Sequence, residues 1–76
     1  MSTRKTFENG DVARAHFYEE RTDGTKLYEV MIWNSLGQIK DYKYYVAKDA
    51  RDALDIYTED RERYLKYVRW TEGRED

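Results

Sequence analysis

His16 is the only histidine in the chain, and it stands two residues from Arg14 and two from Tyr18. On an extended strand, side chains alternate between faces, so this spacing sets an acid–base group, a cation and a phenol side by side. Such a trio could in principle serve a phosphodiester. The plainer account is an ordinary exposed strand face, and it is preferred because nothing else completes a catalytic constellation. The chain has no cysteine, and Ser2 and Ser35 fall in a terminal segment and a turn with no base nearby. Asp49, Asp52 and Asp55 recur every three residues, a spacing that fans carboxylates around a helix, whereas calcium loops gather oxygens in a glycine-containing turn. They read as solvated acids at a helix start. Gly10, Gly24, Gly37 and Gly73 are isolated, so no phosphate-cradling loop is encoded. The expectation is a protein that is not an enzyme and uses no metal or small-molecule cofactor.

The other chemically suggestive segment is residues 61–70. Arg61, Arg63, Lys66 and Arg69 are interleaved there with Tyr64, Tyr67 and Trp70, the mixture with which proteins grip phosphates and stack bases. Against it, Tyr64, Leu65 and Val68 fit the buried stripe of a helix whose opposite face the bases merely solvate. The net charge of −2 and a pI near 5.4 also fall short of the basic excess of a dedicated nucleic-acid binder. Nucleic-acid binding therefore stands as the alternative function.

Seventy-six residues allow one domain, and at that size only about 60% of the unfolded chain's surface can be buried. Without disulfides, oligomerisation or a partner is the usual supplement to such a core. A charged fraction of 39% and a mean hydropathy of −1.12 resemble disordered chains, but eight Tyr, two Trp, two Phe and no proline do not. Tyrosine buries apolar area while keeping a polar tip, so a tyrosine-built core looks hydrophilic on a hydropathy scale. No apolar run approaches the roughly 20 residues that span a bilayer, and Arg4 and Lys5 are not followed by the apolar stretch of a signal peptide. A cytoplasmic protein without membrane contact is expected.

The elements that would position these residues follow from periodicity. Residues 1–11 show no sustained period and end in the turn signal Asn9-Gly10-Asp11, so they read as a flexible lead-in. Strands are expected at residues 12–20, 26–34 and 38–46, with Asp23-Gly24 and Asn34-Ser35-Leu36-Gly37 as the turns. The second turn, taken alone, pairs Ile32 with Lys40, Val30 with Tyr42, Tyr28 with Tyr44 and Glu29 with Lys43. That register makes the even-numbered face of Tyr28, Val30, Ile32, Tyr42, Tyr44 and Val46 the core. For the first hairpin, a two-residue turn puts Phe17 opposite Val30 and buries it; a three-residue turn pairs Glu20 with Lys26 and turns Phe17 outward. The first is preferred because it buries Phe17.

A helix from about residue 50 to 70 follows, capped by Asp49, with a break near Thr58 as the alternative. Residues 49–60 carry five acids and one base, and residues 61–70 four bases and one acid; both favour one helix dipole. The fold class is α+β: a three-stranded antiparallel β-meander followed by one long, or two short, C-terminal helices. The domain spans residues 12–72, and residues 73–76 form a frayed tail.

The turn Asp23-Gly24-Thr25 and the helix start Ala50-Arg51-Asp52-Ala53-Leu54 give residues 12–57 a plan that resembles the arm-type DNA-binding domains of phage integrases and a DNA-binding domain of plant transcription factors. The resemblance implies DNA contact by the sheet face opposite the helix. This sheet offers Arg14, Lys26, Lys40 and Lys43 but lacks the dense arginine and tryptophan array of those families, so the likeness is one of plan only.

The expected fold leaves apolar surface uncovered. Met31, Trp33, Ile39 and Tyr45 lie off the assigned core face, with Tyr18 beside them, and Tyr67 and Trp70 form a second stripe on the helix with Ile56 and Arg63. Clustered aromatics and methionine are what protein interfaces use. The expected function is a small non-enzymatic protein–protein interaction module, accessory or inhibitory in character. Its partner is another protein or a second copy of itself through Tyr18, Met31, Trp33, Ile39, Tyr45, Tyr67 and Trp70. Nucleic-acid contact through Arg61, Arg63, Lys66 and Arg69 is the alternative.

Overall fold

A computed structural model describes residues 3–73, and side chains for residues 3–66. The fold is α+β: a four-stranded antiparallel sheet followed by one C-terminal helix. The elements are β1 (Thr3–Thr6), β2 (Val12–Glu20), β3 (Lys26–Trp33), β4 (Ile39–Val46) and α1 (Ala50–Gly73), and the strands lie in sequence order. The sheet has one strand more than expected. β1 arises in the lead-in, where Thr3–Thr6 pairs with β2 from Thr3–Ala15 to Thr6–Val12; four residues with one apolar neighbour, Phe7, are too few to show a period. The expected tail falls mostly on residues 74–76, outside the described residues.

All three hairpins close in the same way. Phe7 N–H donates to Asp11 O at 2.8 Å, Arg21 N–H to Thr25 O at 2.8 Å and Asn34 N–H to Gln38 O at 2.9 Å. In each, a glycine in the left-handed region, with φ of 92°, 90° and 80° at Gly10, Gly24 and Gly37, ends a three-residue loop. The side-chain oxygens of Asn9, Asp23 and Asn34 accept backbone N–H groups two residues on, at 3.0, 3.0 and 2.9 Å, fixing each turn locally. Gly10 also packs against Ser35: a Cβ at Gly10 would lie 2.6 Å from the Ser35 Cβ.

The first hairpin thus adopts the three-residue loop, with Glu20 opposite Lys26, and not the preferred two-residue turn. Phe17 nevertheless stays on the helix side. Tyr18 is an extra residue in β2, a β-bulge that resets the alternation and places Phe17 opposite Tyr28. The two rings meet edge-on with centroids 5.8 Å apart, and Phe17 remains 51% exposed at the margin of the core.

The second hairpin departs further from expectation. Trp33 pairs with Ile39 as expected, but Lys40 is bulged, and the register beyond it becomes Ile32–Asp41, Met31–Tyr42, Val30–Lys43, Glu29–Tyr44 and Tyr28–Tyr45. A one-residue shift moves every following side chain to the opposite face. Tyr42, Tyr44 and Val46, expected in the core, face outward and are exposed, whereas Tyr45 packs at the core's edge on the helix side. The bulge has a physical reason. It carries the Lys40 ammonium to within 2.7 Å of the carboxylate of Asp11, which is buried at 4% exposure and costly to hold without a counter-charge.

The core lies between β2, β3 and α1. Ala13, Ala15, Tyr28, Val30 and Ile32 meet Ala50, Ala53, Leu54 and Tyr57. Alanines on both β2 and α1 let the backbones approach closely, so the helix settles over β2 and β3. The cap expected at Asp49 forms: its Oδ1 accepts the Asp52 N–H at 2.8 Å, and Asp52 Oδ2 accepts the Lys48 N–H at 3.2 Å, close to a reciprocal capping box. No break occurs near Thr58, whose hydroxyl donates to Leu54 O at 2.8 Å inside a continuous helix. At 24 residues, α1 is about 36 Å long, against roughly 27 Å for an eight-residue strand.

A candidate interaction face on the open side of the sheet

The helix covers one side of the sheet only. Strand alternation together with the two bulges places Tyr18, Met31, Trp33 and Ile39 on the other side, joined by Tyr42, Tyr44 and Val46. Ile39 is 44% exposed, Tyr42 47% and Tyr44 48%. Of the residues expected to bind a partner, four therefore share one face. Tyr45 does not belong with them: it lies in a groove between β4 and α1, where burial and the negative charge of Asp60 push its hydroxyl pKa up. The side chains of Tyr67 and Trp70 lie outside the described ones.

Tyr42, Tyr44 and Val46 were missed because the expected register had no bulge. A signal was present in the sequence. Ile39 is odd-numbered and Tyr42, Tyr44 and Val46 are even-numbered, so these apolar residues can share a face only if one residue between positions 39 and 42 is extra.

At the middle of this face sits a closed polar network. His16 Nε2 lies 2.9 Å from Glu29 Oε1, and the Tyr44 hydroxyl donates to Glu29 Oε2 at 2.7 Å. Tyr18 packs edge-on against Tyr44, with ring centroids 5.2 Å apart. The Glu29 side chain is only 14% exposed, and both of its oxygens are occupied. The hydrogen bond to the carboxylate raises the Tyr44 pKa to about 12, so the phenol stays protonated. The Glu29–Lys43 pair expected from sequence does not form; Lys43 lies instead 3.5 Å from Asp41. A protonated phenol and a carboxylate already bound at both oxygens hold an arrangement together rather than poise a proton for transfer.

The basic residues lie elsewhere. Lys26, Lys40 and Lys43 are on the helix side by register, which leaves Arg14, with Arg4 beside it on β1, as the bases on the open face. Arg61 is engaged within the fold: its guanidinium stacks over Phe7 at 4.2 Å, bonds Asn9 Oδ1 at 3.1 Å and lies 3.9 Å from Asp11. Arg63 bonds Asp60 at 2.9 Å. Lys66 is exposed, and the side chain of Arg69 is outside the described ones. Asp49 and Asp52 act as helix caps, and among the described residues no group of three or more His, Cys, Asp or Glu is arranged to hold a metal ion. No helix among the described residues is long and apolar enough to cross a membrane.

The chain matches no known protein family, and neither a characterised protein nor a solved structure matches it.

Proposed function

We propose that this chain is a small non-enzymatic protein-interaction module of the cytoplasm, accessory or inhibitory in character, that docks on another protein through the open face of its sheet. The observation that carries this reading is one continuous surface of Trp33, Met31, Ile39, Tyr42 and Tyr44 around a polar centre whose hydrogen bonds are already made. Aromatics and methionine flanking internally satisfied polar groups make a surface that can lose its water at little cost. A face built to bind nucleic acid needs many cations, and the bases of this sheet lie mostly on its other side.

Affinity purification from the native host tests the proposal, using the unaltered chain beside a Met31→Lys, Tyr42→Lys variant. A protein recovered near equal stoichiometry with the first and lost with the second supports it. Recovery that is indifferent to these substitutions, or that consists of nucleic acid released steeply by salt, refutes it.

A further inference from the structure

We infer that, without another protein bound, the open face is covered by a second copy of this chain, the two sheets stacking face to face about a twofold axis parallel to their strands. The inference rests on the same face as the proposed function and names its resident occupant.

The pattern across the face is self-complementary about one axis direction. Its residues run in rows set by register: Val12 beside Trp33, Arg14 beside Met31 and Tyr42, His16 beside Glu29 and Tyr44. A twofold along the strands, passing between β2 and β3, keeps each row on the same row of the second copy and exchanges β2 with β3 and β1 with β4. Val12 then covers Trp33 of the second copy, and Trp33 its Val12. Arg4, paired beside Arg14, meets the ring face of Tyr42, the geometry that attracts a guanidinium to an aromatic ring. The same rotation sets Arg14 over Met31 of the second copy, and lays the His16–Glu29 pair, already made within each chain, over its counterpart. A twofold across the strands instead stacks each strand on its own copy, bringing the Arg4 and Arg14 side of one sheet onto that of the other. Only in the first arrangement does the arginine side of one sheet face the tyrosine side of the other; both arrangements keep the strands aligned, as stacked twisted sheets prefer.

The area is sufficient for a reversible dimer. Three strands about 4.8 Å apart over about 24 Å, with the four residues of β1 beside them, give roughly 410 Å² in plan per copy, or roughly 820 Å² for the pair. Relief from the aromatic side chains brings this to the lower limit, about 1,000 Å², at which specific interfaces begin. An interface at that limit belongs to the weak, reversible class, so another protein can displace the second copy.

Sedimentation equilibrium from roughly 5 to 500 µM reads the outcome. The unaltered chain is expected to rise from 9.3 kDa towards twice that mass, and Tyr42→Lys, at an exposed position that leaves the helix-side core intact, to remain at the single-chain mass with unchanged circular dichroism. The chain has no cysteine, so T6C and I39C chains, at the two ends of one row, report the axis with a short bis-maleimide. Mixed, their thiols face each other across stacked sheets about 10 Å apart and should cross-link, whereas each alone sets its thiols roughly 17 Å apart and should not. A strict monomer at the highest concentration, or cross-linking of either variant with itself in preference to the mixture, overturns the inference. If the chain is monomeric while Tyr42→Lys still abolishes capture of another protein, the interaction reading stands and self-association falls; if neither responds, both fall.

Discussion

Replacing Asp11 by asparagine tests the account of why β4 is bulged. The Asp11 carboxylate is 4% exposed, receives the Lys40 ammonium at 2.7 Å and lies 3.9 Å from the Arg61 guanidinium. The Lys40 hydrogen bond lowers its pKa below 3.8, with burial opposing and Asn9 and Arg61 assisting. A hydrogen bond to a charged partner contributes about 1.5–3 kcal/mol. The Lys40 side chain is 52% exposed, so the value should be discounted to about 1–2 kcal/mol for solvent screening. A carboxylate whose folded pKa is depressed contributes stability that is fully present above its unfolded pKa. That stability is lost as pH falls through the folded value. A carboxamide in its place has no such titration. In urea unfolding followed by circular dichroism, Asp11→Asn should therefore be about 1–2 kcal/mol less stable than the unaltered chain at pH 7, which corresponds to a loss of roughly 4–16 °C in Tm for a domain of this size. The gap should close as the pH falls below the ordinary carboxylate range and Asp11 protonates. Equal stability of the two proteins at pH 7, or a gap of unchanged size in acid, would refute the claim that this ion pair holds the bulge.

Three further substitutions probe the turns and the open face. Gly10→Ala combines a left-handed φ of 92° with a Cβ 2.6 Å from that of Ser35, and should cost roughly 2–4 kcal/mol; Gly24→Ala meets no atom within 4 Å and should cost only the roughly 1–2 kcal/mol of its backbone conformation, so equal losses in chemical denaturation would contradict the packing of the first turn against the third. Glu29→Gln removes the charge that raises Tyr44, and a tyrosine titrating at about 12 in ultraviolet absorbance should move down towards 10; a titration curve that does not change would mean the Tyr44–Glu29 hydrogen bond is not made in solution.

The strands β2, β3 and β4 and the helix were legible to within a few residues because each rests on signals that do not need the tertiary structure. Glycines at fixed turn positions, the Asp49 cap and the 3–4 spacing of Ala50, Ala53, Leu54 and Tyr57 are local. What failed was register. A bulge leaves the composition and length of a strand untouched while reversing its faces, so the sequence placed Tyr42 and Tyr44 in the core and Tyr45 outside it. The decisive interactions are long-range: Lys40 with Asp11 is a contact between residues 29 apart, and no periodicity within β4 announces it. The candidate face was consequently half legible. Tyr18, Met31, Trp33 and Ile39 were recognised as surplus to the core, whereas Tyr42, Tyr44 and the central role of Glu29 needed the corrected register. β1 escaped notice because its pairing with β2 buries little of its own surface.

The same bulge also supports the proposed use of the open face rather than of the β4 edge. β4 ends the sheet, and an edge strand that long invites another strand to add to it. Ala47 N–H donates to Lys26 O, so by alternation Tyr42, Tyr44 and Val46 point their backbone groups away from β3. Tyr42 N–H is nevertheless already taken by Asp41 Oδ1 at 2.8 Å, Lys40 and Lys43 place charge along the strand, and the bulge bends the backbone at its start. These are the devices by which natural sheets blunt their edges. On the face the opposite choice was made: the central carboxylate is satisfied by His16 and Tyr44, and the residues around it on β3 and β4 are aromatic and aliphatic, with Arg14 on β2. Protection of the β4 edge together with internal satisfaction of the face supports the proposed docking by covering of the sheet rather than by extension of it at β4.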